Sequence, residues 1–384
     1  MTDCVVVTDA EERASLAACR GLTSAGYRVC AVARHRPAAT HWSRSCAERI
    51  LLPDPRASPR TFVDRLAELL RSGRYAALIP GSEASLLAVS EHRSRLECST
   101  RLGLPSREAV RKSVDKLSLL EAAASAGLPS PPSSSCTDLE TAVEAASELG
   151  YPVLLKPAQS FVPVNGGFRQ QGVVVVADRA ALTRAVPSFP SPFLVQRFER
   201  ARFLSCTGVV ADGRLLALTT SRVLRLWPPL AGMHTFSETI RASSELTSRA
   251  RALLTELEWQ GIFQLQLLEL GDGRLSVIDL NPRLFASIAL DEHAGANVAA
   301  IWCDWLLGRD PAPVVARPNR RYRWEEGELC HFAWQLRHRR LRAAASVLLP
   351  HRRVTHSWFR VTDPGPLVAR GLSLMLRSGR RSRA

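Results

Sequence analysis

The sequence predicts an α/β protein that opens with a Rossmann-like half, continues into an α+β region and ends in a basic extension. Three observations carry this. Over the first hundred or so residues, short β-branched runs alternate with helical patterns, the signature of a parallel sheet with crossover helices. From residue 193 onward strands come close together and two pairs are joined by Asp212-Gly213 and Asp272-Gly273, both strong hairpin signals. From Arg309 onward the charge changes: 17 arginines stand against Asp310, Glu325, Glu326, Glu328 and Asp363, so +12 of the total +15 lies there.

The elements follow in order. Residues 4–8 read as a strand, 11–25 as a helix, 27–33 as a strand, 59–71 as a helix with Phe62, Leu66, Leu69 and Leu70 on one face, and 76–79 as a strand ending at Pro80-Gly81. The first turn, Thr8-Asp9-Ala10-Glu11, lacks the glycines that let a pyrophosphate approach the backbone, so no dinucleotide is expected there. A helix over 115–126 leads into a Pro/Ser-rich connector over 127–136, and Asp138 caps a helix over 139–149. Strands are expected at 151–155, 171–177, 193–198, 207–211, 215–219, 263–270 and 274–280, with helices at 180–185 and 243–258.

With 384 residues the chain exceeds the size at which one core stops growing, and two or three domains are expected. Asp3, Asp9, Glu11 and Glu12 flank the short apolar run at the start, and no stretch approaches the roughly 20 apolar residues of a membrane span, so the expectation is a soluble cytoplasmic protein. Nine scattered cysteines without a C-x-x-C pair point to reduced, mostly buried thiols rather than disulfides or zinc. Of 51 cations only Lys112, Lys116 and Lys156 are lysine, which singles them out.

A two-residue type I′ turn at Asp272-Gly273 would align Gly271 with Arg274 and, counting back, set Gln266 opposite Asp279, with Asn281 on the same face and Glu269 on the other. Three oxygen donors with room for phosphate and water suit Mg²⁺. Taken alone, the segment is as readily an ordinary strand end.

From about residue 113 to 308 the chain resembles the ATP-grasp superfamily, nearest to carbamoyl-phosphate-synthase-like and carboxylate-amine-ligase-like members. The residues that carry the resemblance run in order: Asp115-Lys116, Gly127-Leu128-Pro129, Gly150 to Pro157, Leu194-Val195-Gln196, Gly261, Gln266, and Ile278-Asp279-Leu280-Asn281-Pro282-Arg283. It implies a pre-ATP-grasp domain over 1–112, a two-lobed ATP-grasp domain over 113–308, and an extension over 309–384. It further implies ATP and Mg²⁺ as cofactors, with Gln266, Asp279 and Asn281 on metal and Arg283 on the transferring phosphoryl group. Lys116 and Lys156 fall at the phosphate-binding positions, and Gln196, Arg197 and Phe198 in the linker that cups adenine. Arg222 or Arg225 would hold a substrate carboxylate, and His234 would contact the acyl phosphate. Three departures stand out: the lid over 160–169 is long and glycine-poor, Arg197 stands where a Glu is common, and Arg202 lies near the position of the ribose-binding Glu.

The resulting expectation is a Mg-ATP-dependent ligase that activates a small-molecule carboxylate as an acyl phosphate for attack by an amine or other nucleophile. Two alternatives stay open. One is a non-catalytic ATP-binding module. The other is a scaffold whose tail, with Trp324, Trp334, Trp358 and Phe359 among its arginines, binds nucleic acid or a membrane. An amphipathic helix over 367–376 runs into the arginine-rich stretch 377–383, a candidate membrane contact.

Overall fold

The computed structural model describes residues 2–229 and 232–381, the last five as backbone alone. The side chains of the 377–383 stretch therefore lie outside the described residues.

A five-stranded parallel sheet opens the chain, in the order Glu48–Leu51, Arg28–Ala33, Cys4–Val7, Tyr75–Ile79, Arg101–Leu102. Its central strand is buried on both faces, as its unbroken apolar run requires. Cys4 and Val6 meet Phe62, Val63 and Leu66 of the helix Pro59–Leu70, while Val5 and Val7 meet Leu16 and Cys19 of the helix Arg13–Ser24. That second face also receives the helices Ile288–Ala294 and Val298–Leu306, so the two ends of the sequence share one core. The helices Glu83–Glu91 and Arg107–Val114, which the sequence pattern left out, follow the last strands of this sheet.

A small antiparallel sheet comes next, ordered Val174–Val176, Val153–Pro157, Phe193–Arg197, Ser133–Cys136. Alternation divides its faces. Val153, Leu155, Phe193 and Val195 pack on the helices Leu139–Leu149 and Arg179–Ala185, whereas Leu154, Lys156 and Gln196 line a cleft. Ser133–Cys136 corrects the connector expected over 127–136. As an edge strand it needs little intrinsic strand preference, because its backbone pairs with Phe193–Arg197.

The large sheet holds eight strands. Leu275–Asn281, Gly261–Glu269, Arg202–Ala211, Arg214–Trp227 and Met233–Ile240 form an antiparallel run, continued by Arg321–Arg323 and Val354–His356, with Val314–Val315 beside Arg214–Trp227. The glycine-poor lid is itself a hairpin, Phe161–Val164 with Gly167–Gln170, turning on Asn165 (φ 47°) and Gly166 (φ 78°). Asn-Gly is the residue pair that such a turn demands.

Residues 314–356 thus supply three strands to the large sheet rather than a separate tail. Tyr322, Trp324 and Trp358 are buried in the shared core. The helices Glu325–Arg337, Leu341–Leu348 and Gly365–Arg381 complete the chain. Among the described residues no helix is long and apolar enough to cross a membrane.

Candidate active site

The cleft between the small and large sheets encloses about 430 Å³. Its floor is the hairpin Gly261–Glu269 with Leu275–Asn281. Gln266 pairs with Asp279 and Gln264 with Asn281, the alignment that the sequence predicts, but the route differs. The loop is Gly271-Asp272-Gly273, closed by Leu270 N–H to Arg274 O and Gly273 N–H to Leu270 O, both 2.9 Å. That loop shifts the pairing by one residue. A bulge at Ile278, between the pairs Leu267–Val277 and Gln266–Asp279, shifts it back. The bulge also frees the Ile278 carbonyl, which accepts from Lys156 Nζ at 3.0 Å.

The cations converge on this floor. Lys116 opens the helix Lys116–Ser125, donates to Ser160 Oγ at 3.0 Å and lies 3.8 Å from Asp279 Oδ1. Lys156, next to last in its strand, lies inside the protein, and burial pulls its pKa down to about 8, Asp279 opposing the fall and Lys116 adding to it. Arg283 donates to Asn281 Oδ1 at 3.0 Å and to Leu284 O at 2.8 Å, and Gln264 Oε1 accepts from Asn281 Nδ2 at 3.2 Å. Among the described residues the Asp279 carboxylate accepts no hydrogen bond, so its oxygens face the cleft beside those of Gln266 and Asn281. This hard-oxygen set fits Mg²⁺.

At the other end, Gln196 donates through Nε2 to Ser133 Oγ at 2.8 Å, leaving its buried Oε1 without a partner among the described residues. An acceptor stranded in this way fits a donor such as the exocyclic amine of adenine. Phe198 lines the cleft beside it, while the Arg197 side chain turns to Glu199 Oε1, with Nη2 at 2.6 Å. Arg202 is exposed and lies 3.7 Å from Glu269, whereas Glu199 lines the cleft.

The acceptor segment differs most from expectation. The Arg225 guanidinium is spent on Glu328, with Nη2 at 2.6 Å and Nε at 2.9 Å, and stacks 4.3 Å from the Phe236 ring. Arg222 pairs with Glu238 at 3.1 Å. His234 is buried, and that burial, with Arg13 nearby, lowers its pKa to about 4, so it is neutral. Neither Arg225 nor His234 lines the cleft. Glu83 does, from the helix that starts just after the strand Tyr75–Ile79. It is nine-tenths buried, sits 3.8 Å from Arg283 Nε, accepts no hydrogen bond from the described residues, and has its pKa raised by burial against the pull of Arg283 and Lys116. Sequence reasoning missed it, although the carboxyl end of a parallel strand is where α/β sheets bind ligands. Arg13, outside the cleft lining, stacks 3.9 Å over Trp324 and reaches Sδ of the lining residue Met233 at 3.8 Å.

Residues 115–189 match the family model described as "Carbamoyl-phosphate synthase L chain, ATP binding domain". The carbamoyl phosphate synthase large chain of Hyperthermus butylicus is 30% identical over 270 residues, 64% of this chain and 24% of that one. A C-terminal section of the same enzyme from Aquifex aeolicus is 24% identical over 59% of this chain and 42% of its own length. The chain thus spans about a quarter to two fifths of these relatives. Among solved structures, N5-carboxyaminoimidazole synthetase of Staphylococcus aureus superposes with a TM-score of 0.63 at 13% identity, covering 84% of this chain and 82% of that one. The biotin carboxylase domain of Hydrogenobacter thermophilus 2-oxoglutarate carboxylase, in complex with MgADP, gives 0.64 at 18% identity over 84% and 73%. L-amino acid ligase of Bacillus licheniformis gives 0.62 at 15% identity over 83% and 78%. With its cleft floored by the bulged hairpin, the chain resembles the ATP-binding domain of the carbamoyl phosphate synthase large chain over residues 115–189 and shares its fold with these solved carboxylases and ligases.

Proposed function

We propose that the protein uses Mg-ATP to activate a carboxylate: a carboxylate oxygen attacks the γ-phosphorus, ADP leaves, and a nucleophile attacks the acyl carbon to release phosphate. The observation that carries this is the convergence of Lys116, Lys156, Asp279, Asn281 and Arg283 on one cleft that also holds, beside Arg283, a carboxylate, Glu83, with no hydrogen-bond partner among the described residues. Phosphoryl transfer needs little beyond positioned positive charge, and this cleft concentrates it. Mg²⁺, held by Gln266, Asp279 and Asn281, would supply charge neutralisation at the phosphates.

The protein's own groups divide the remaining work. Gln196 and Phe198 seat the base, with Arg197 holding Glu199 at the ribose side. Lys116 and Lys156 fix the phosphates, and Arg283 meets the charge that develops during transfer. Glu83 stands beside Arg283, where it can take the proton that an amine loses on attack. Arg225 and His234 act as wall: one fixes Glu328, the other is a neutral ring behind Met233. The N-terminal sheet, as a pre-ATP-grasp domain over 1–112, contributes Glu83 and Arg13 to the acceptor end, and 309–384 is read as a basic extension.

The test is ADP formation by the purified protein with panels of carboxylic acids, bicarbonate included, and amines. Turnover is expected only with Mg²⁺ and a matching pair, and should fall by about a hundredfold or more in Asp279→Ala and Arg283→Ala. Tight ATP binding with no turnover across the panels would identify a nucleotide-binding module instead.

A further inference from the structure

After Glu328 the sequence contains one acidic residue, Asp363, against 12 arginines. Asp363 is buried and bound to Arg20, so no described carboxylate from Leu329 onward reaches the surface. Elsewhere in the molecule arginines are mostly paired, but Arg337, Arg339, Arg340 and Arg342, all exposed, make no ion pair among the described residues. They crowd the turn between the helices Glu325–Arg337 and Leu341–Leu348.

The same helices turn leucines outward. Leu329 and Leu336 stand two helical turns apart on one helix, Leu341 and Leu348 two turns apart on the other, and their exposures are 68%, 43%, 67% and 68%. Their opposite faces are spent inward: Glu328 on Arg225, His331 on the Leu226 carbonyl at 3.1 Å, and Ala344 and Val347 buried. From Leu329 onward the helix pair therefore shows solvent apolar and cationic side chains and, among the described residues, no carboxylate.

We infer that this helix pair docks on an anionic lipid surface, its leucines entering the headgroup boundary and its arginines meeting the lipid phosphates. Exposed aliphatic side chains beside unpaired cations suit an interface that is greasy inside and negative outside. A nucleic acid would use the arginines but has no place for four leucines, and a second copy would set two cationic turns against each other. Because the first helix packs on the strands Arg214–Trp227 and Met233–Ile240, whose adjoining ends line the cleft, docking holds the cleft rim close to the membrane. The inference is independent of the chemistry proposed above.

The test is co-sedimentation of the full chain with vesicles of phosphatidylcholine alone and of equimolar phosphatidylcholine and phosphatidylglycerol. Binding is expected only to the anionic vesicles and should weaken with salt. Each arginine near such a surface is worth about fivefold. Arg337→Gln, Arg339→Gln, Arg340→Gln and Arg342→Gln together should thus lower the partition at least about tenfold. Leu341→Gln with Leu348→Gln should lower it comparably while leaving the melting temperature and ATP binding unchanged. The inference is overturned by failure to bind anionic vesicles at low salt. It is overturned equally by binding that ignores the leucine changes and is matched by duplex DNA, or by concentration-dependent dimers that the leucine changes abolish.

Discussion

Lys156 shows how one buried charge couples binding to pH. Alternate residues of its strand fill the core of the small sheet, so Lys156 is delivered to the cleft with its ammonium inside the protein and the Ile278 carbonyl as its acceptor. Burial lowers its pKa to about 8, and below that pH it is charged. A bound triphosphate favours the charged form and raises the pKa again. Near pH 8, ATP binding should therefore take up a proton, and near about pH 6, where the lysine is already charged, it should not. Calorimetry in buffers of different ionisation enthalpy measures this directly, and Lys156→Arg should abolish the uptake because a guanidinium stays charged throughout. Glu83 presents the opposite case. Burial raises its pKa, so a rate that requires its ionised form should rise with pH along a limb set above the ordinary carboxylate range. Glu83→Gln should lower turnover by about a hundredfold and remove that limb, with ATP affinity little changed. A rate profile that keeps the limb in the variant would show that another group titrates.

At the scale of elements, local chemistry made some features legible and tertiary pairing hid others. The helix Leu139–Leu149 begins where Asp138 signals it, because a capping box is a local interaction. The Gln266–Asp279 pairing was readable because a hairpin is local, yet the three-residue loop and the compensating bulge were not, since neither leaves a mark in residue type. The strand Met233–Ile240 escaped because one of its two neighbours is distant in sequence: Arg321–Arg323 closes its outer edge, and its polar residues are buried between sheet partners. Glu83 and Glu199 line the cleft by placement rather than by spacing. The bulge offers a test at this scale. It puts Ile278 and Asp279 consecutively on the cleft face, while Val277 and Leu280 point to the core. Deleting Ile278 should restore plain alternation, keep Asp279 opposite Gln266, and deprive Lys156 of its backbone acceptor. The expected result is a folded protein with Mg²⁺-dependent ATP binding weakened about tenfold, in line with the loss of one hydrogen bond to a charged group. Loss of the Mg²⁺ dependence itself would mean that the bulge also orients Asp279.

At the scale of the whole molecule, the residues beyond 309 are structural as well as basic. They carry three strands and the buried Tyr322, Trp324 and Trp358 into a core shared with the first helix of the chain. The tie is Arg20. Its guanidinium, 4% exposed, meets Asp363 Oδ2 at 3.0 Å, the Trp358 carbonyl at 3.0 Å and the Asp363 carbonyl at 3.2 Å. Asp363 in turn accepts from Ser43 Oγ at 2.6 Å and from the Arg44 amide at 3.0 Å, so one carboxylate joins the N-terminal sheet region to the last turn before the final helix. Breaking a buried pair from one side leaves the other charge without compensation, which costs about 3–5 kcal/mol, whereas replacing both partners by apolar groups costs far less. Asp363→Ala should therefore lower stability in urea by about that amount, and Arg20→Leu with Asp363→Leu should recover most of it. Ending the chain after Pro364 should spare the fold, because Arg20 keeps its partners. Ending it after Gly308 should not, because the strand Met233–Ile240 loses Arg321–Arg323 and the shared core loses its aromatic residues. Were the chain cut after Gly308 to melt cooperatively and bind ATP as the full chain does, the extension would be dispensable cover, and the cost of Asp363→Ala would have to arise locally.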